Sequence, residues 1–400
     1  MPRMRVAAAV LNAPKTKFVI EELDLDEPGA GEVLVRIAAS GVCHSDWHLA
    51  SGDTRHPMPC VAGHEGAGVV EAVGAGVSDV RVGDHVVLNW APSCGACFYC
   101  LRGRSNLCDT YTAPIWAGTM LDGRTRLHRN GQPVYHYCGL ATFAERAVVP
   151  RVSVVPIRKD VPLESAALVG CAVATGVGAA MFTAPVEPGE SVVVIGCGGV
   201  GLNIVQGAAL CGASVIIAID ANETKQSVAR AFGATHFIRG TGVPAIRNAA
   251  KQHSAPSLAD AIGHGRDGPT MQTTVEQVRA LTGGRGADHA FEAVGIPALQ
   301  ELAFDAARPG GTVTLAGLAP MGSATNLPGA VIARQEKTIK GSYYGTVHAP
   351  RDFPWLLDLY MERRLKLDEL ISRRWPLERI NEAFESMLTG GVARGVILFD

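Results

Sequence analysis

The sequence predicts an α/β protein of two domains, and three observations support this prediction. The chain has 400 residues, which is long for a single hydrophobic core. Residues 1 to about 150 contain short runs of β-branched side chains, which are typical of a β-rich domain. From about Leu163 onward, patterns typical of strands and helices alternate, which indicates parallel β-α-β units.

The individual elements are predicted from these patterns in chain order. Residues 33–37 and 68–73 are β-branched runs, and residues 83–88 form a turn that leads into another run, so each predicts a strand. Few helices are expected before residue 150. The later elements are strands at 191–195 and 215–219, helices at 200–211 and 223–232, regular units at 274–282, 289–292 and 312–316, helices at 353–363 and 377–388, and a strand at 395–399.

Residues from about 240 to 270 interrupt this alternation. They contain Pro244, Pro256 and Pro269 together with several glycines, which break regular structure. We interpret them as a surface segment inserted into the second domain.

Composition excludes several classes of partner. The formal net charge is −2 and no basic block or acidic tail is present, so nucleic acid and anionic membrane surfaces are not expected partners. The apolar run within residues 1–12 is too short for the core of a signal peptide. The uncharged stretches at 165–186 and 191–219 are rich in Gly, Ala and Thr, which favours buried segments over membrane spans. A soluble protein of the cytoplasm is expected, with no disulfides among its ten cysteines.

Four cysteines close together give the strongest motif. They lie within fifteen residues at spacings of three, three and eight, which suits a closed tetrahedral zinc site. A metal bound there would fold a lobe at about residues 92–110, and the alternative is a redox-active cluster. The four ligands are Cys94, Cys97, Cys100 and Cys108.

A glycine-rich turn gives the second motif. Its residues Gly196, Gly198, Gly199, Val200 and Gly201 directly follow the predicted strand 191–195 and open a helix. The next strand ends at Asp220. A turn, helix and acidic residue in this order are typical of dinucleotide binding, with the pyrophosphate at the helix N-terminus and the carboxylate on the adenosine ribose.

The residues around Asp220 refine this prediction. Ala221, rather than an arginine, follows the carboxylate and favours NAD over NADP. Lys225, five residues further on, is within reach of the same ribose. The alternative is a domain with this fold and no bound nucleotide.

A third group of residues suggests a second metal. Cys43 and His64 are too far apart to share a helical turn, but a folded loop can bring them together, and Cys171 is a candidate third ligand. Three ligands with an open fourth position are typical of a catalytic zinc. Asp46 and Glu65 are carboxylates placed to orient these ligands. Each cysteine or histidine alone is more typical of a buried structural residue.

Taken together, these motifs resemble those of the zinc-dependent alcohol dehydrogenases of the medium-chain dehydrogenase/reductase superfamily. The resemblance covers the whole chain except the segment near 240–270, and the motifs occur in the family's order. It implies a catalytic zinc on Cys43, His64 and Cys171, with Asp46 and Glu65 around it. A structural zinc on the four clustered cysteines is also implied, giving two ions per subunit.

The same resemblance assigns the remaining site residues. Ser45 takes the proton of the alcohol, and His48 passes it to solvent. His44 and Arg394 contact the cofactor's pyrophosphate, and Thr175 and Val200 pack behind the nicotinamide. The residues implied for the substrate pocket are Trp90, Leu318 and Tyr343, with Ser45, and Leu318 is also expected to contact the cofactor.

The fold implied by the resemblance has three parts. Residues 1–172 form a β-rich, partly open barrel of the GroES-like type, which is the catalytic domain. Residues 173–342 form a Rossmann domain with a doubly wound parallel sheet that binds NAD, and residues 343–400 return to the catalytic domain. The long segment between Cys108 and the strand at 144–149 resembles the dimeric branch of the family, so a homodimer is expected.

The predicted activity is NAD-dependent oxidation of a primary or aromatic alcohol, or the reverse reduction of its aldehyde or ketone. Zinc lowers the pKa of a bound hydroxyl, so an alcohol can lose its proton near neutral pH. Three alternatives remain open: oxidation of a formaldehyde–thiol adduct, a nicotinoprotein that keeps NAD bound and uses an external acceptor, and a non-catalytic NAD-binding protein.

Overall fold

The computed structural model describes residues 3–240, 270–389 and 393–400. Within these ranges the chain forms two compact units. The first comprises Met1–Ala174, Thr346–Met387 and Val392–Asp400, and the second Thr175–Gly345 with Leu388–Gly391, counting only the described residues of each range. The predicted inserted segment near 240–270 lies almost wholly outside the described residues.

The strands occupy both units and are numbered along the chain. They are β1 (Arg3–Leu11), β2 (Val19–Asp26), β3 (Glu32–Val42), β4 (Cys60–Val61), β5 (Gly66–Val73), β6 (His85–Leu88), β7 (Leu127–Arg129), β8 (Gln132–His136), β9 (Arg146–Pro150), β10 (Val154–Pro156), β11 (Ser191–Ile195), β12 (Val215–Asp220), β13 (His236–Arg239), β14 (Ala287–Glu292), β15 (Ala307–Leu315), β16 (Thr338–Gly341), β17 (Ile371–Pro376) and β18 (Arg394–Leu398).

The α-helices are numbered in the same way. They are α1 (His44–Ser51), α2 (Asp109–Ala117), α3 (Leu163–Ala167), α4 (Ala172–Gly178), α5 (Gly199–Leu210), α6 (Gln226–Ala231), α7 (Met271–Leu281), α8 (Pro297–Ala306), α9 (Gly329–Arg334), α10 (Ala349–Met361) and α11 (Ile380–Leu388).

The first unit is built on two sheets. Strands β1, β2, β7, β8 and β4 close into a small barrel. A second sheet has the order β10-β6-β5-β3-β18-β17, and β9 also pairs with β3. Strand β18 lies antiparallel to β3, so the C-terminal strand completes the sheet whose central strand leads to Cys43. The predicted β-rich fold of the GroES-like type is therefore confirmed.

The described residues before 150 contain two short α-helices, neither of which was located from the sequence. Helix α1 follows Cys43 directly and ends at Gly52, whose φ of 87° is the left-handed conformation that glycine adopts readily. Helix α2 contains Pro114 and buries only Ile115. Neither segment has the apolar periodicity of an amphipathic helix, so the sequence pattern gave no signal for either.

The second unit contains a six-stranded parallel sheet in the order β13-β12-β11-β14-β15-β16. The order reverses at β11, which is the mark of a doubly wound sheet. Strand β11 is a run of buried β-branched side chains, as expected for a strand covered on both faces. The predicted Rossmann domain is confirmed.

The core of the second unit lies between this sheet and its helices. Apolar side chains of β11, β12 and β14 pack against residues of α7 and α8, and Phe304, Val193 and Ile217 are fully buried or nearly so. This packing fixes the carboxyl ends of the strands, where the glycine turn and Asp220 lie.

Among the described residues, no single helix is both long and apolar enough to cross a membrane. One bent pair, Leu163–Gly170 with Ala172–Thr183, meets the length and composition criteria only when its two parts are taken together, and it bends by 54°.

Candidate active site

Three separate segments of the first unit bring the predicted catalytic ligands together. Cys43 follows β3, His64 follows β4, and Cys171 stands just before α4. The ligand atoms of these three residues and of Glu65 all lie within 4.8 Å of one another, and all four side chains are buried. This convergence places two sulfurs, one ring nitrogen and one carboxylate around a common point.

The buried carboxylate of Asp46 orients His64. Its Oδ1 accepts a hydrogen bond from the Gly63 backbone at 2.9 Å and lies 3.1 Å from His64 Nδ1. An ionised carboxylate has no proton to donate, so Nδ1 carries the hydrogen. Nε2 is then the ring nitrogen that would bind a metal in place of a proton, which is the usual carboxylate–histidine arrangement of zinc sites.

Glu65 lies between the ligand cluster and a buried arginine. Arg394 forms an ion pair with Glu65, and its guanidinium also lies 3.6 Å from Cys43 Sγ. Burial raises the pKa of Glu65 to about 7, although the charge of Arg394 opposes this shift. The second oxygen of Glu65 is buried and makes no hydrogen bond to any described residue.

The charges of the ligand cluster shift the pKa values of its members. The hydrogen bond from Cys171 lowers the pKa of Cys43 well below its ordinary value, and the same bond raises that of Cys171. The charges of Arg394 and His64 lower the pKa of Cys43 further. Burial opposes a charge on His64, but Asp46 and Cys43 raise its pKa well above the usual range. Asp46 and Cys43 therefore both attract a positive charge at His64.

These residues fit a zinc ion. A tetrahedral zinc with bonds of about 2.0–2.3 Å holds its ligand atoms roughly 3.3–3.8 Å apart, which is compatible with the compact donor set. Two thiolates and one imidazole are the soft ligands that zinc prefers. One carboxylate oxygen of Glu65 lies within the same donor set.

The predicted proton-relay residues lie on helix α1, directly after Cys43. Ser45 Oγ is 3.8 Å from Cys43 Sγ, so the hydroxyl lies beside the ligand cluster. His48 follows three residues later, on the same side of the helix. Its Nδ1 lies 3.3 Å from Asp53 Oδ2, and 23% of its side chain is exposed. The helix thus leads from the buried cluster toward solvent.

Aromatic rings surround the imidazole of His64. Trp90 and Tyr137 both meet it edge to face, with ring centroids 6.4 and 5.7 Å away. Trp116 in turn packs against Tyr137. The Tyr137 hydroxyl donates a hydrogen bond to the Ser45 carbonyl at 3.1 Å. This bond connects the aromatic surface to helix α1, which carries Ser45 and His48.

The four clustered cysteines also converge. Their sulfurs lie within 4.8 Å of one another, and Cys97 Sγ is 3.9 Å from Cys108 Sγ. Cys94 Sγ accepts backbone hydrogen bonds from Ala96 and Cys97, which favour a thiolate. A hydrogen bond from Thr110, together with the Ala96 amide, lowers the pKa of Cys94 to about 6. Sulfur-only ligation with no open position suits a structural zinc.

In the second unit, the glycine turn joins β11 to α5 as predicted. Gly201 approaches Gly196 so closely that a Cβ at Gly201 would lie 1.7 Å from the Gly196 carbonyl oxygen, so only glycine fits there. Asp220 ends β12 and accepts a hydrogen bond from the Cys197 backbone at 2.8 Å. Lys225 Nζ lies 3.0 Å from the same carboxylate. The turn, the acidic residue and the lysine therefore share one edge of the sheet.

The remaining predicted residues lie in both units. His44 is exposed at the first position of α1, and Thr175 is buried in α4. Leu318 and Tyr343, both in the second unit, are 59% and 41% exposed. Arg394 is buried against Glu65, so its predicted pyrophosphate contact stays a prediction. Val200 is half-buried in the first turn of α5.

Sequence reasoning did not identify Tyr137 or the pairing of Arg394 with Glu65. Tyr137 belongs to no motif, and a lone tyrosine carries no signal of its contacts. Arg394 was recognised only as a possible phosphate contact, because its partner lies 329 positions earlier in the chain.

Comparison with known proteins agrees with this architecture. Residues 29–159 match the family model of the alcohol dehydrogenase GroES-like domain, and residues 267–362 match that of the zinc-binding dehydrogenases. The NDMA-dependent alcohol dehydrogenase of Amycolatopsis methanolica is 42% identical over 398 residues, covering 99% of both chains. The S-(hydroxymethyl)glutathione dehydrogenase of Saccharomyces cerevisiae is 38% identical, covering 99% of this chain and 97% of the yeast protein.

A solved structure is similar over its whole length. Benzyl alcohol dehydrogenase from Acinetobacter calcoaceticus superposes with a TM-score of 0.86 at 29% identity, covering 99% of this chain and all of the other. A GroES-like unit with a buried Cys–His–Cys cluster and a Rossmann unit define a zinc-binding oxidoreductase that uses a nicotinamide cofactor. The chain belongs to the zinc-dependent alcohol dehydrogenases of the medium-chain dehydrogenase/reductase superfamily. The family predicted from the sequence is thereby confirmed.

Proposed function

We propose that this protein oxidises primary or aromatic alcohols to aldehydes with NAD that stays bound during turnover and is reoxidised by an external acceptor. The observation that carries the alcohol oxidation is the buried Cys43–His64–Cys171 cluster with Ser45 beside it. The retained cofactor is supported by the relative whose name specifies NDMA dependence, at 42% identity. A zinc on each cysteine cluster, a cytoplasmic location and a homodimer are parts of the same proposal.

The chain's own residues divide the chemistry between them. Cys43, His64 and Cys171 would hold the catalytic zinc, which supplies the Lewis acidity that lowers the pKa of an alcohol hydroxyl. Ser45 Oγ would accept the hydroxyl proton while giving up its own, and His48, three residues further along α1 and partly exposed, would pass a proton to solvent. A nicotinamide cofactor held by the glycine turn and Asp220 would supply the acceptor for the hydride of the alcohol carbon.

The choice of NAD and of substrate depends on different residues. Asp220 ends β12, and an acidic residue at this position of the fold favours the ribose hydroxyls of NAD over the 2′-phosphate of NADP. Trp90, Tyr137 and Trp116 offer flat aromatic surface around His64, which supports a primary alcohol with an aromatic ring.

Substrate oxidation in several assay mixtures tests this proposal. Purified protein is given benzyl alcohol and short primary alcohols with free NAD, with free NADP, or with NDMA and no added nucleotide. We expect turnover with NDMA alone and tightly bound NAD in the purified protein. Turnover only with free nucleotide would contradict the retained cofactor, and no alcohol oxidation in any mixture would contradict the activity.

Oxidation of a formaldehyde–thiol adduct is the second candidate, because the similar yeast protein is named for the glutathione adduct. Formaldehyde turnover with and without glutathione or mycothiol separates the two. A strict requirement for one thiol, with poor oxidation of benzyl alcohol, would favour the second candidate.

Replacing the relay hydroxyl tests the role of Ser45. We expect Ser45→Ala to lower kcat/KM for benzyl alcohol roughly 100-fold, because general acid–base groups typically contribute at least that much. Ser45→Thr keeps the hydroxyl and is the matched control, expected to retain most of the activity. Both variants should keep the zinc content of the parent, measured by atomic absorption, and full activity of Ser45→Ala would rule out the relay.

A further inference from the structure

Glu292 is a buried carboxylate in the second unit that the proposed chemistry does not use. It is the last residue of β14, and its side chain is completely buried. Its Oε1 accepts backbone hydrogen bonds from Val294 at 2.8 Å and from Gly295 at 2.7 Å. Burial raises the pKa of Glu292, although these two amides oppose the shift. A buried acid that makes these two contacts fixes the turn that follows its own strand.

The same residue also holds the neighbouring turn. Its backbone carbonyl accepts hydrogen bonds from Ala316 and Gly317, which follow β15. A Cβ at Gly317 would lie 2.7 Å from Glu292 Oε2 and 2.1 Å from the Gly295 nitrogen. The turn 293–295 and the turn 316–318 are therefore packed against each other, with Glu292 between them.

These two turns adjoin the glycine turn. Ile195, the last residue of β11, pairs with Glu292, and the Ala293 amide donates to the Ile195 carbonyl at 3.0 Å. A Cβ at Gly196 would lie 2.4 Å from Val294 Cγ2. The position of Val294 is thus set directly against the first glycine of the dinucleotide motif.

The sheet order shows which half of a dinucleotide faces these turns. Asp220, expected on the adenosine ribose, ends β12 on one side of β11, while β14 and β15 lie on the other side. A dinucleotide lies across the carboxyl edge of the sheet with its pyrophosphate at the helix that follows β11. The nicotinamide half therefore lies on the side of Val294 and Leu318.

We propose that Glu292 is a positioning residue for the nicotinamide half of the cofactor. Its carboxylate holds the turn 293–295, against which the turn 316–318 packs, in the shape that receives the nicotinamide riboside, without touching the adenosine half. The inference rests on the dinucleotide-binding part of the proposed function and is independent of the alcohol substrate.

The test measures the affinity of the full chain, with zinc bound and resident nucleotide removed, for two ligands. NADH contains both halves of the cofactor, whereas ADP-ribose lacks the nicotinamide. We expect Glu292→Ala, which leaves the Val294 and Gly295 amides without this acceptor, to raise the Kd for NADH about tenfold and to change that for ADP-ribose less than about twofold. Glu292→Gln keeps an oxygen that can accept hydrogen bonds from both amides, so it should bind NADH with nearly the affinity of wild type.

Two further variants keep the test decisive. Gly317→Ala displaces the turns without removing the carboxylate and should give the same selective loss of NADH affinity. This variant takes the place of Glu292→Ala in the test if Glu292→Ala does not fold. Asp305→Ala changes an exposed acid of α8 and should affect neither ligand. Unchanged NADH affinity in Glu292→Ala, or equal loss of both ligands, would overturn the inference. Failure of alcohol oxidation with normal NADH binding would contradict the proposed substrate only.

Discussion

At the scale of single residues, His136 makes stability depend on pH. The imidazole is 1% exposed, and its Nε2 accepts a hydrogen bond from the Arg126 backbone at 3.0 Å. Burial, aided by the charges of Arg126 and His128, lowers its pKa to about 3. In the unfolded chain the imidazole of His136 binds a proton near pH 6.5, but in the folded protein it does not. The free energy of unfolding therefore falls as the pH drops below about 6.5, by up to about 1.4 kcal/mol per pH unit.

Replacing His136 should remove this loss. We expect wild type to lose about 2 kcal/mol more than His136→Gln in the free energy of unfolding between pH 7 and pH 5. All five tryptophans lie in the first unit, so their fluorescence in urea reports its unfolding. His236→Gln, in the second unit, is the control. The same pH dependence in His136→Gln and wild type would contradict this interpretation.

Asp46 acts through the orientation of His64. Asp46→Ala removes the partner of Nδ1, and such a change typically weakens zinc binding by about 10- to 100-fold. Zinc content after competition with a chelator measures the effect, and the ion on the four clustered cysteines should be retained. Asp79→Ala, which removes an exposed partner of Arg151, should bind zinc like wild type. Equal zinc retention in the two variants would show that Asp46 does not support the site.

At the scale of elements, the lobe at residues 94–108 has little structure of its own. It contains only the short 3₁₀ turns Cys100–Arg102 and Ser105–Leu107, and Phe98 and Leu101 are exposed. A segment with so small a core would depend on a bound metal to fold. Without Cys100, the remaining ligands Cys94, Cys97 and Cys108 would leave one position of a tetrahedral site open.

Replacing one of the four cysteines should therefore remove the zinc of this lobe. We expect Cys100→Ser to lower zinc from two ions to one per subunit and to make the lobe sensitive to limited proteolysis. Metal analysis and mass spectrometry of the fragments measure both effects. Cys211→Ser changes a thiol of the second unit and should keep two ions. Two ions in Cys100→Ser would contradict the assignment of this cysteine as a ligand.

At the scale of the whole molecule, the six-stranded sheet ends at β16. Among the described residues this strand pairs only with β15, and Ile339 is 36% exposed. An open edge with an apolar side chain is a site where a second copy can pair. We expect light scattering to give twice the chain mass of 41.9 kDa.

A charge at this edge tests the pairing. Ile339→Lys should shift the mass toward 41.9 kDa, whereas Val19→Lys, on an exposed position of β2, should not. A monomeric wild type would contradict the expected homodimer.

The sequence alone determined the features that depend on short stretches of chain. One donor cluster was predicted from the spacing of Cys94, Cys97, Cys100 and Cys108. The carboxyl edge of the parallel sheet was predicted from the glycine turn and Asp220. Neighbouring residues set the geometry of both features. Buried strands such as β11 were predicted for the same reason. Helices α1 and α2 were missed because their sequences lack the apolar period that marks a helix.

The tertiary structure alone decided which distant residues meet. Cys171 lies more than a hundred positions after Cys43 and His64, and its sulfur joins theirs only once β3, β4 and α4 are packed together. The same holds for Arg394 on Glu65 and for Tyr137 on the Ser45 carbonyl. Such contacts depend on the burial of whole sheets, since no local backbone geometry links residues so far apart in the chain.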